Sequence, residues 1–394
     1  MPHLRQRQAS GLIKKALTYS PVVGILGMRQ VGKSTLMKEQ VKIYYTFDDE
    51  SFQIRFQSEG RSILDASRES IGLDEVQKYP PVFDLIKTLV DQKKKPGRFC
   101  LTGSIRFSSK KQIRESLTGR IVSFDLFPLT LSECHSKPFS TFLKNLCSDS
   151  IQKISENFSQ KNWAQEGQLL HYFQSGGLPG ICFRREANIR NELYRAHLET
   201  LLARDIHFIK KTTLPYLKLF RLMEELAKRE GLSTNISELS KVVGTSPPTL
   251  SSILNALEAL FLIRPYGSTY YIEDAGISFF LQNNSKNSMT RLDRTKLIYL
   301  ELRSQLHYLL RNEATFQPYQ TRGGVDIPFF IKYRSGRQIA ICVDETDYPT
   351  DKSLKSLLWT QKKFPDLLGL VAHAGKKFFR TNSGILCVPW VSIF

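Results

Sequence analysis

Gly27-Met28-Arg29-Gln30-Val31-Gly32-Lys33-Ser34 spells Gly-x-x-x-x-Gly-Lys-Ser, and it directly follows the apolar run Pro21-Val22-Val23-Gly24-Ile25-Leu26. A triphosphate has to be wrapped by backbone N–H groups, and only glycine lets a chain curl that tightly without a side chain colliding. Gly27, Gln30, Val31 and Gly32 would form this cradle. Lys33 would bring a point charge to the β and γ phosphates, and Ser34 a hydroxyl to a hydrated Mg²⁺. The helix opening there, with Thr35 in its first turn, adds the positive end of its dipole to the same anion. An ordinary Gly-rich turn would not explain why Lys-Ser falls where it does. The strand, loop and helix together predict an ATP-binding α/β fold built on a doubly wound parallel sheet.

Such a loop needs a second, acidic element to hold the metal and polarise water, and Ile71-Gly72-Leu73-Asp74-Glu75 supplies one. Asp74 would hold Mg²⁺ from its outer coordination sphere, and Glu75 would orient the attacking water. The stretch between Lys33 and Asp74 leaves room for a helix, a strand (Ile43 to Phe47) and a second helix, as a doubly wound sheet requires. Ser70 and Gly72 make the run polar for a buried strand, so a surface loop carrying two acids is the plainer alternative. Downstream, Arg98-Phe99-Cys100-Leu101-Thr102-Gly103-Ser104 reads as another buried strand whose Thr102 or Ser104 could touch the γ-phosphate or the water. Glu115-Ser116-Leu117-Thr118-Gly119-Arg120 then leads into a strand from Ile121 to Leu126. Arg120 is placed to act as an arginine finger, into a neighbouring subunit of a homo-oligomer, although an Arg after Gly is also a common helix C-terminal charge.

GMRQVGKS, IGLDEVQKYPP, FCLTGSIR and ESLTGR occur in that order, followed by Ser175-Gly176-Gly177-Leu178-Pro179 and Leu202-Ala203-Arg204-Asp205-Ile206. Together they resemble the prokaryotic AAA-type ATPases of the archaeal-ATPase-like group, which carry a winged helix and a C-terminal region of unknown function. The resemblance runs from about Leu12 to about Val343 and is sharpest in the ATPase motifs. It implies ATP binding and hydrolysis, a sensor-1 role for Thr102 or Ser104, and a Gly176-to-Pro179 turn that caps a lid over the nucleotide.

At 394 residues the chain exceeds what one core usually serves. With 41% hydrophobic and 24% charged residues it has the composition of a soluble globular protein. No apolar run approaches the roughly 18 residues needed to cross a bilayer, so no membrane partner and a cytoplasmic location are expected. The six cysteines are scattered without Cys-x-x-Cys pairs and read as reduced thiols. A formal charge of +19 invites nonspecific nucleic-acid binding, but the excess is spread over short clusters such as Lys93-Lys94-Lys95, Lys110-Lys111 and Lys210-Lys211. Each cluster reads equally well as a solvated face.

Beyond Leu131 the sequence turns helical and polar. Ser136 to Gln160 reads as a mobile connection, and a helix is expected from about Glu186 to Ile209, with Arg204 and Asp205 diverging rather than pairing. A helix from Leu214 to Arg229 closed by Gly231, a short helix from Ile236 to Val243 started by Asn235 and Glu238, and a third helix capped by Ser246 and running to Leu260 form a helix-turn-helix layout. The strand Phe261-Leu262-Ile263 follows it. The third helix contains no Lys or Arg, with only Asn255 and hydroxyls to offer a base edge. Packing or partner docking is therefore favoured over sequence reading.

Towards the C-terminus, a helix beginning at Lys296 and carrying Glu301, a strand from Thr315 to Gln320, Asp326 opening another strand, and a third strand from Arg337 to Val343 follow the layout of restriction-type nucleases. There two carboxylates share Mg²⁺ and a Lys steadies the water. This chain departs from that pattern, with Cys342 at the acid position and Asp344 at the lysine position. No nuclease activity is expected.

The sequence therefore predicts four parts: an AAA-type P-loop core over 1–130, a helical lid over 131–212, an all-α winged-helix domain over 213–268 and a small, degenerate nuclease-like α/β domain over 269–394. The expected function is a Mg²⁺-dependent ATPase acting as a switch on an unidentified protein partner. The alternatives are a nucleic-acid-stimulated ATPase and, last, an ATP-dependent nuclease.

Overall fold

A computed structural model describes residues 4–107, 116–148, 164–282 and 288–394. The chain forms two compact units, each assembled from separate stretches: Met1–Leu129 with Leu178–Phe220 and Val243–Ile263, and Thr130–Gly177 with Arg221–Val242 and Arg264–Phe394.

The first unit is built on five strands: β1 (Val22–Leu26), β2 (Ile43–Thr46), β3 (Ile71–Asp74), β4 (Phe99–Gly103) and β5 (Ile121–Asp125). They lie in the order β2-β3-β4-β1-β5, and every neighbouring pair is parallel. The three central strands are buried along their whole length, as apolar runs covered on both faces should be. The expected doubly wound parallel sheet is thus present, and Ile71–Asp74 is one of its strands rather than a surface loop. Around it lie α1 (Ala9–Ala16), α2 (Lys33–Lys38), α3 (Glu50–Asp65) and α4 (Val82–Gln92). α3 is started by the Asp49 carboxylate, which accepts from the N–H of Ser51 and Phe52. α4 buries Val82, Phe83, Ile86, Leu89 and Val90, a stripe at helical spacing. The register sets Leu26 opposite both Gly103 and Asp125, and Leu73 opposite Leu101. The C-terminal ends of β1, β3 and β4 therefore share one edge, where ligands of open α/β sheets bind.

The helix expected from Glu186 to Ile209 is a helix only over Ala187–Glu199; a π-helical turn, Thr200–Asp205, and a short helix, Ile206–Ile209, complete it. Arg204 and Asp205 do pair, with Nε 3.0 Å from Oδ1, contrary to expectation. Their Cβ vectors diverge, but the long arginine stem can still curl back to the neighbouring carboxylate. The expected three helices appear as Tyr216–Lys228, Ile236–Val243 and Pro247–Ala259. Asn235 Oδ1 accepts from the N–H of Ser237 and Glu238, and Ser246 Oγ from that of Thr249. The strand expected at Phe261 starts later. Phe261 turns the chain at φ +58°, and β6 (Ile263–Tyr266) then pairs with β7 (Thr269–Ile272).

In the second unit, β8 (Ala314–Gln320), β9 (Asp326–Tyr333), β10 (Gln338–Val343), β11 (Leu368–His373), β12 (Phe379–Arg380) and β13 (Leu386–Pro389) form a mixed sheet in the order β12-β13-β11-β10-β9-β8. β8 to β10 are antiparallel neighbours, and β10, β11 and β13 run parallel. The helix Asp351–Lys363 makes the crossover from β10 to β11. One core holds Tyr299, Phe329, Ile331, Leu370 and Trp390, and a second holds Ile327, Phe330, Leu357 and Val371. The two sets alternate at Phe329, Phe330 and Ile331, so β9 packs on both faces, and Ile327 changes face where the β8–β9 register shifts between Gln317 and Tyr319. Within the stretch expected to be a mobile connection, Phe142–Ser148 is a helix, with Phe142, Leu143 and Leu146 buried. The rest of that expectation from residue 149 onward, together with Lys110-Lys111 and Glu115, lies outside the described residues.

Candidate nucleotide site

The phosphate loop leaves β1 at Leu26 and enters α2 at Lys33. A side chain at Gly27 would put its Cβ 2.4 Å from the Leu126 carbonyl oxygen, and Gly32 sits at φ +99°. Both positions therefore need glycine, the first for close approach and the second for a left-handed backbone. Gln30 also adopts a left-handed φ of +64°, and Val31 is fully buried. Lys33 is buried as well, its ammonium donating to the carbonyl oxygens of Gly27 (3.1 Å) and Met28 (3.0 Å) and lying 3.8 Å from Glu75 Oε1. Burial pushes its pKa down, while Glu75 and Asp74 oppose that. Ser34 is half-buried and Thr35 exposed in the first turn of α2.

Asp74 ends β3 and is almost wholly buried. One of its oxygens accepts from Thr102 Oγ1 and the other from Tyr44 OH at 2.7 Å. Burial, and then this bond to Asp74, hold the Tyr44 phenol well above its ordinary range. Thr102 Oγ1 also accepts from the Glu75 N–H (3.1 Å), so one hydroxyl fixes both acids of the motif. Glu75 turns the chain at φ +52°. Its Oε2 accepts from Gln77 Nε2, which donates again to Ser104 Oγ at 3.0 Å. Lys33, Asp74, Glu75 and Thr102 are thus linked by direct contacts, and Ser104 joins them through Gln77. Sequence reasoning named all of these but Gln77, yet it left open whether Thr102 or Ser104 is the sensor. Thr102 is committed to Asp74, whereas Ser104 accepts from Gln77 and keeps its own proton to give.

Arg120 is not brought to this loop. Ile121 pairs with Val22 and Asp125 with Leu26, so Arg120 sits at the opposite end of the sheet, about 16 Å of strand away. There it makes a two-pronged pair with Asp91, Nε to Oδ1 and Nη2 to Oδ2, both 2.7 Å.

Pro179 belongs to the turn expected to cap the nucleotide, whereas the contacts of Arg7, Arg29 and His197 at the loop were not foreseen. Arg7 is buried and donates to the carbonyl oxygens of Val31 (2.8 Å) and Phe127 (2.5 Å), bracing the loop from outside. Pro179 comes within 3.8 Å of where a Cβ on Gly32 would lie. Arg29 reaches Asp205 at 3.4 Å, tying the loop to the π-helical turn. His197, on the helix entering that turn, is buried with neither ring nitrogen hydrogen-bonded. Burial, and then the charges of Arg29 and Lys33, push its pKa down to about 4. Tyr44 alone carried a readable signal, since it lies on the strand paired with β3.

Residues 19–135 match the AAA domain family and residues 166–311 a domain family of unknown function. Over residues 19–135 the chain fits an AAA-type P-loop ATPase core. Two uncharacterized proteins, from Mycobacterium tuberculosis and Mycobacterium bovis, are each 25% identical to it over 265 residues. Those matches take in 66% of this chain and 53% of each relative, so the chain spans about half the length of the curated relatives it matches. Among solved structures, a Walker-type ATPase of Pyrococcus abyssi is similar at a TM-score of 0.42 and 16% identity, covering 70% of this chain and 95% of that one. A signal-transduction ATPase with a tetratricopeptide-repeat sensor from Pyrococcus horikoshii gives 0.28 and 14%, covering 77% of this chain and 45% of that one.

The acids of the C-terminal unit are engaged elsewhere. Glu301 is buried, accepts from Gln305 Nε2 at 2.8 Å, and is pushed up to about 8 by burial. Asp326 Oδ1 accepts from Gln320 Nε2 at 3.1 Å. Asp344 accepts from the Thr346 hydroxyl (3.0 Å), from the Thr350 N–H (2.7 Å) and hydroxyl (2.8 Å), and from the Ser353 hydroxyl (3.0 Å), pinning the start of the helix Asp351–Lys363. Among the described residues no three His, Cys, Asp or Glu side chains group as metal ligands, and no helix is long and apolar enough to cross a membrane.

Proposed function

We propose that this chain is a Mg²⁺-dependent ATPase whose hydrolysis cycle switches its interaction with a protein partner. The observation that carries the reading is the convergence of Lys33, Asp74, Glu75 and Ser104 at the C-terminal ends of β1, β3 and β4. Lys33 is already desolvated, so a phosphate that replaces its carbonyl partners meets a charge little screened by water. Glu75 takes a proton from water as the water oxygen bonds the γ-phosphorus. The bond from that phosphorus to the β–γ bridging oxygen breaks, and ADP leaves with phosphate. Ser104 donates to the γ-phosphate as sensor.

The Ser34 hydroxyl and the Asp74 carboxylate are hard oxygen donors, few in number, as suits an ion that keeps waters and takes the rest of its shell from substrate phosphates. Mg²⁺ bound there would offset the charge on the β and γ oxygens. Arg120, held by Asp91 far from its own loop, fits a finger only toward a second copy of the chain. In this reading the parts beyond residue 130 are a lid, a winged helix and a degenerate nuclease-like domain; the order helix, three antiparallel strands, helix, parallel strand from Arg291 to His373 supports the last. The absence of a disulfide among the described cysteines fits a cytoplasmic location.

Partner docking is favoured over nucleic-acid reading because the helix Pro247–Ala259 contains no Lys or Arg, and the neighbouring Lys210 donates inward to the Ser252 hydroxyl. A nucleic-acid-stimulated ATPase is the second reading, favoured by the net charge of +19. An ATP-dependent nuclease is the weakest. The test is ATP turnover with and without Mg²⁺, DNA and RNA. Turnover lost in Lys33→Ala and in Glu75→Gln, and indifferent to nucleic acid, is expected. Turnover that persists in both variants would refute hydrolysis at this site, and turnover raised by DNA or RNA would favour the second reading.

A further inference from the structure

We infer that Gln77 is the positioning residue for the hydrolytic glutamate, joining Glu75 to the γ-phosphate sensor Ser104 through one amide. Gln77 stands two residues beyond Glu75 on the 3₁₀ turn Val76–Lys78 and is buried. A carboxamide carries two N–H donors on one nitrogen, and both are used: one goes to Glu75 Oε2 and the other to Ser104 Oγ at 3.0 Å. Its own carbonyl oxygen has no hydrogen-bond partner and packs where a Cβ on Gly103 would come within 3.2 Å of it. The glycine closing β4 leaves room first for the Phe107 ring, which such a Cβ would meet at 2.7 Å, and then for this amide. A buried, unsatisfied carbonyl is a cost that burial for packing alone would not require.

The arrangement has a direction. Ser104 accepts from Gln77, so its hydroxyl proton is left for an outward acceptor, and the acceptor this site is shaped for is a γ-phosphate oxygen. Glu75 is held on one oxygen by Gln77 and faces the Lys33 ammonium with the other. When Lys33 turns to phosphate, Gln77 becomes the contact that keeps the carboxylate in one rotamer, aligned with the serine that reads the same phosphate. Glu75 then polarises water only in register with the bound γ-phosphate.

This inference rests on Glu75 being the general base, and the experiment separates the two ideas. Turnover and nucleotide affinity of the full chain are measured with ATP and Mg²⁺ for wild type, Gln77→Ala, Gln77→Leu, Glu75→Gln and the double variant Glu75→Gln with Gln77→Leu. Gln77→Leu keeps the buried volume while deleting both donors, which guards against mere loss of folding, and ATP-analogue binding reports site integrity. The expected result is a fall in kcat of about 10²-fold in both Gln77 variants with KM and affinity almost unchanged, the signature of a misplaced group rather than a lost binding contact. In the Glu75→Gln background the Gln77 change adds no further loss, because Gln77 acts through that carboxylate. Wild-type turnover insensitive to Glu75→Gln sinks the general-base reading itself. Turnover abolished by Glu75→Gln but unchanged in Gln77→Leu, reduced together with affinity, or reduced multiplicatively in the double variant overturns the role of Gln77 alone.

Discussion

His197 is a buried imidazole with no hydrogen-bond partner at either nitrogen, in the field of the phosphate-loop cations Arg29 and Lys33. Its folded-state pKa lies near 4 against 6.5 unfolded, so between those values the unfolded chain binds the extra proton and the folded chain does not. Stability from the neutral imidazole is therefore complete above about pH 6.5 and is lost as pH falls toward 4. His197→Leu should flatten that acid limb and raise stability at pH 7 by about 1–3 kcal/mol by removing orphaned polar atoms. Urea unfolding at several pH values measures both, and an unchanged acid limb would mean that another group sets it. Asp74 offers a second test, because Tyr44 occupies one of its oxygens. Tyr44→Phe leaves that oxygen free, and tighter Mg²⁺ dependence of turnover is expected, read as a lower Mg²⁺ concentration at half-maximal rate. At this scale the sequence was legible wherever phosphate chemistry dictates residue type, as at Gly27, Gly32, Lys33 and Asp74. Arg7, Gln77 and His197 were not legible, because a buried Arg, Gln or His acquires a role only when distant segments close around it. Arg120 had a legible spacing, but its Asp91 partner depends on where α4 packs.

Among the elements, the five parallel strands could be read from apolar runs, since a strand covered on both faces leaves few other sequences open to it. The π-helical turn at Thr200–Asp205 and the left-handed Phe261 could not, for neither carries a local signature. Phe261 lies under the guanidinium of Arg106, whose centre stands 4.3 Å from the ring. Arg106 follows β4, and its N–H and Nε donate to the carbonyl oxygens of Ala259 (2.9 Å) and Glu258 (3.2 Å) at the end of the helix Pro247–Ala259. Its Nη1 also pairs with Asp125 at 3.0 Å, at the end of β5. One arginine thus caps the unmade carbonyls of a helix with the loop that leaves β4. Arg106→Ala should loosen both ends together. Amide hydrogen exchange is expected to rise across 256–263 as well as 104–107, with a global loss of about 1–2 kcal/mol. A rise confined to the loop would show that the helix end is held by its own packing.

Across the whole molecule, the charge of +19 and a third helix without Lys or Arg pull in opposite directions. Charge spread over many short clusters attracts phosphate without fixing a register, whereas sequence reading needs donors presented on one face. On the helix Pro247–Ala259 the candidates were Ser252 and Asn255. Ser252 is bonded by Lys210, so a cation that could have met a phosphate is spent inside the fold. Any DNA affinity of the full chain should therefore be electrostatic, falling steeply between about 50 and 200 mM salt and showing no preference among sequences. Ser252→Ala with Asn255→Ala should leave that affinity and its salt slope unchanged, as read by fluorescence anisotropy on two unrelated duplexes. Loss of affinity on one duplex but not the other would instead make this helix a reader of base edges. That outcome would favour the nucleic-acid reading over the proposed protein partner.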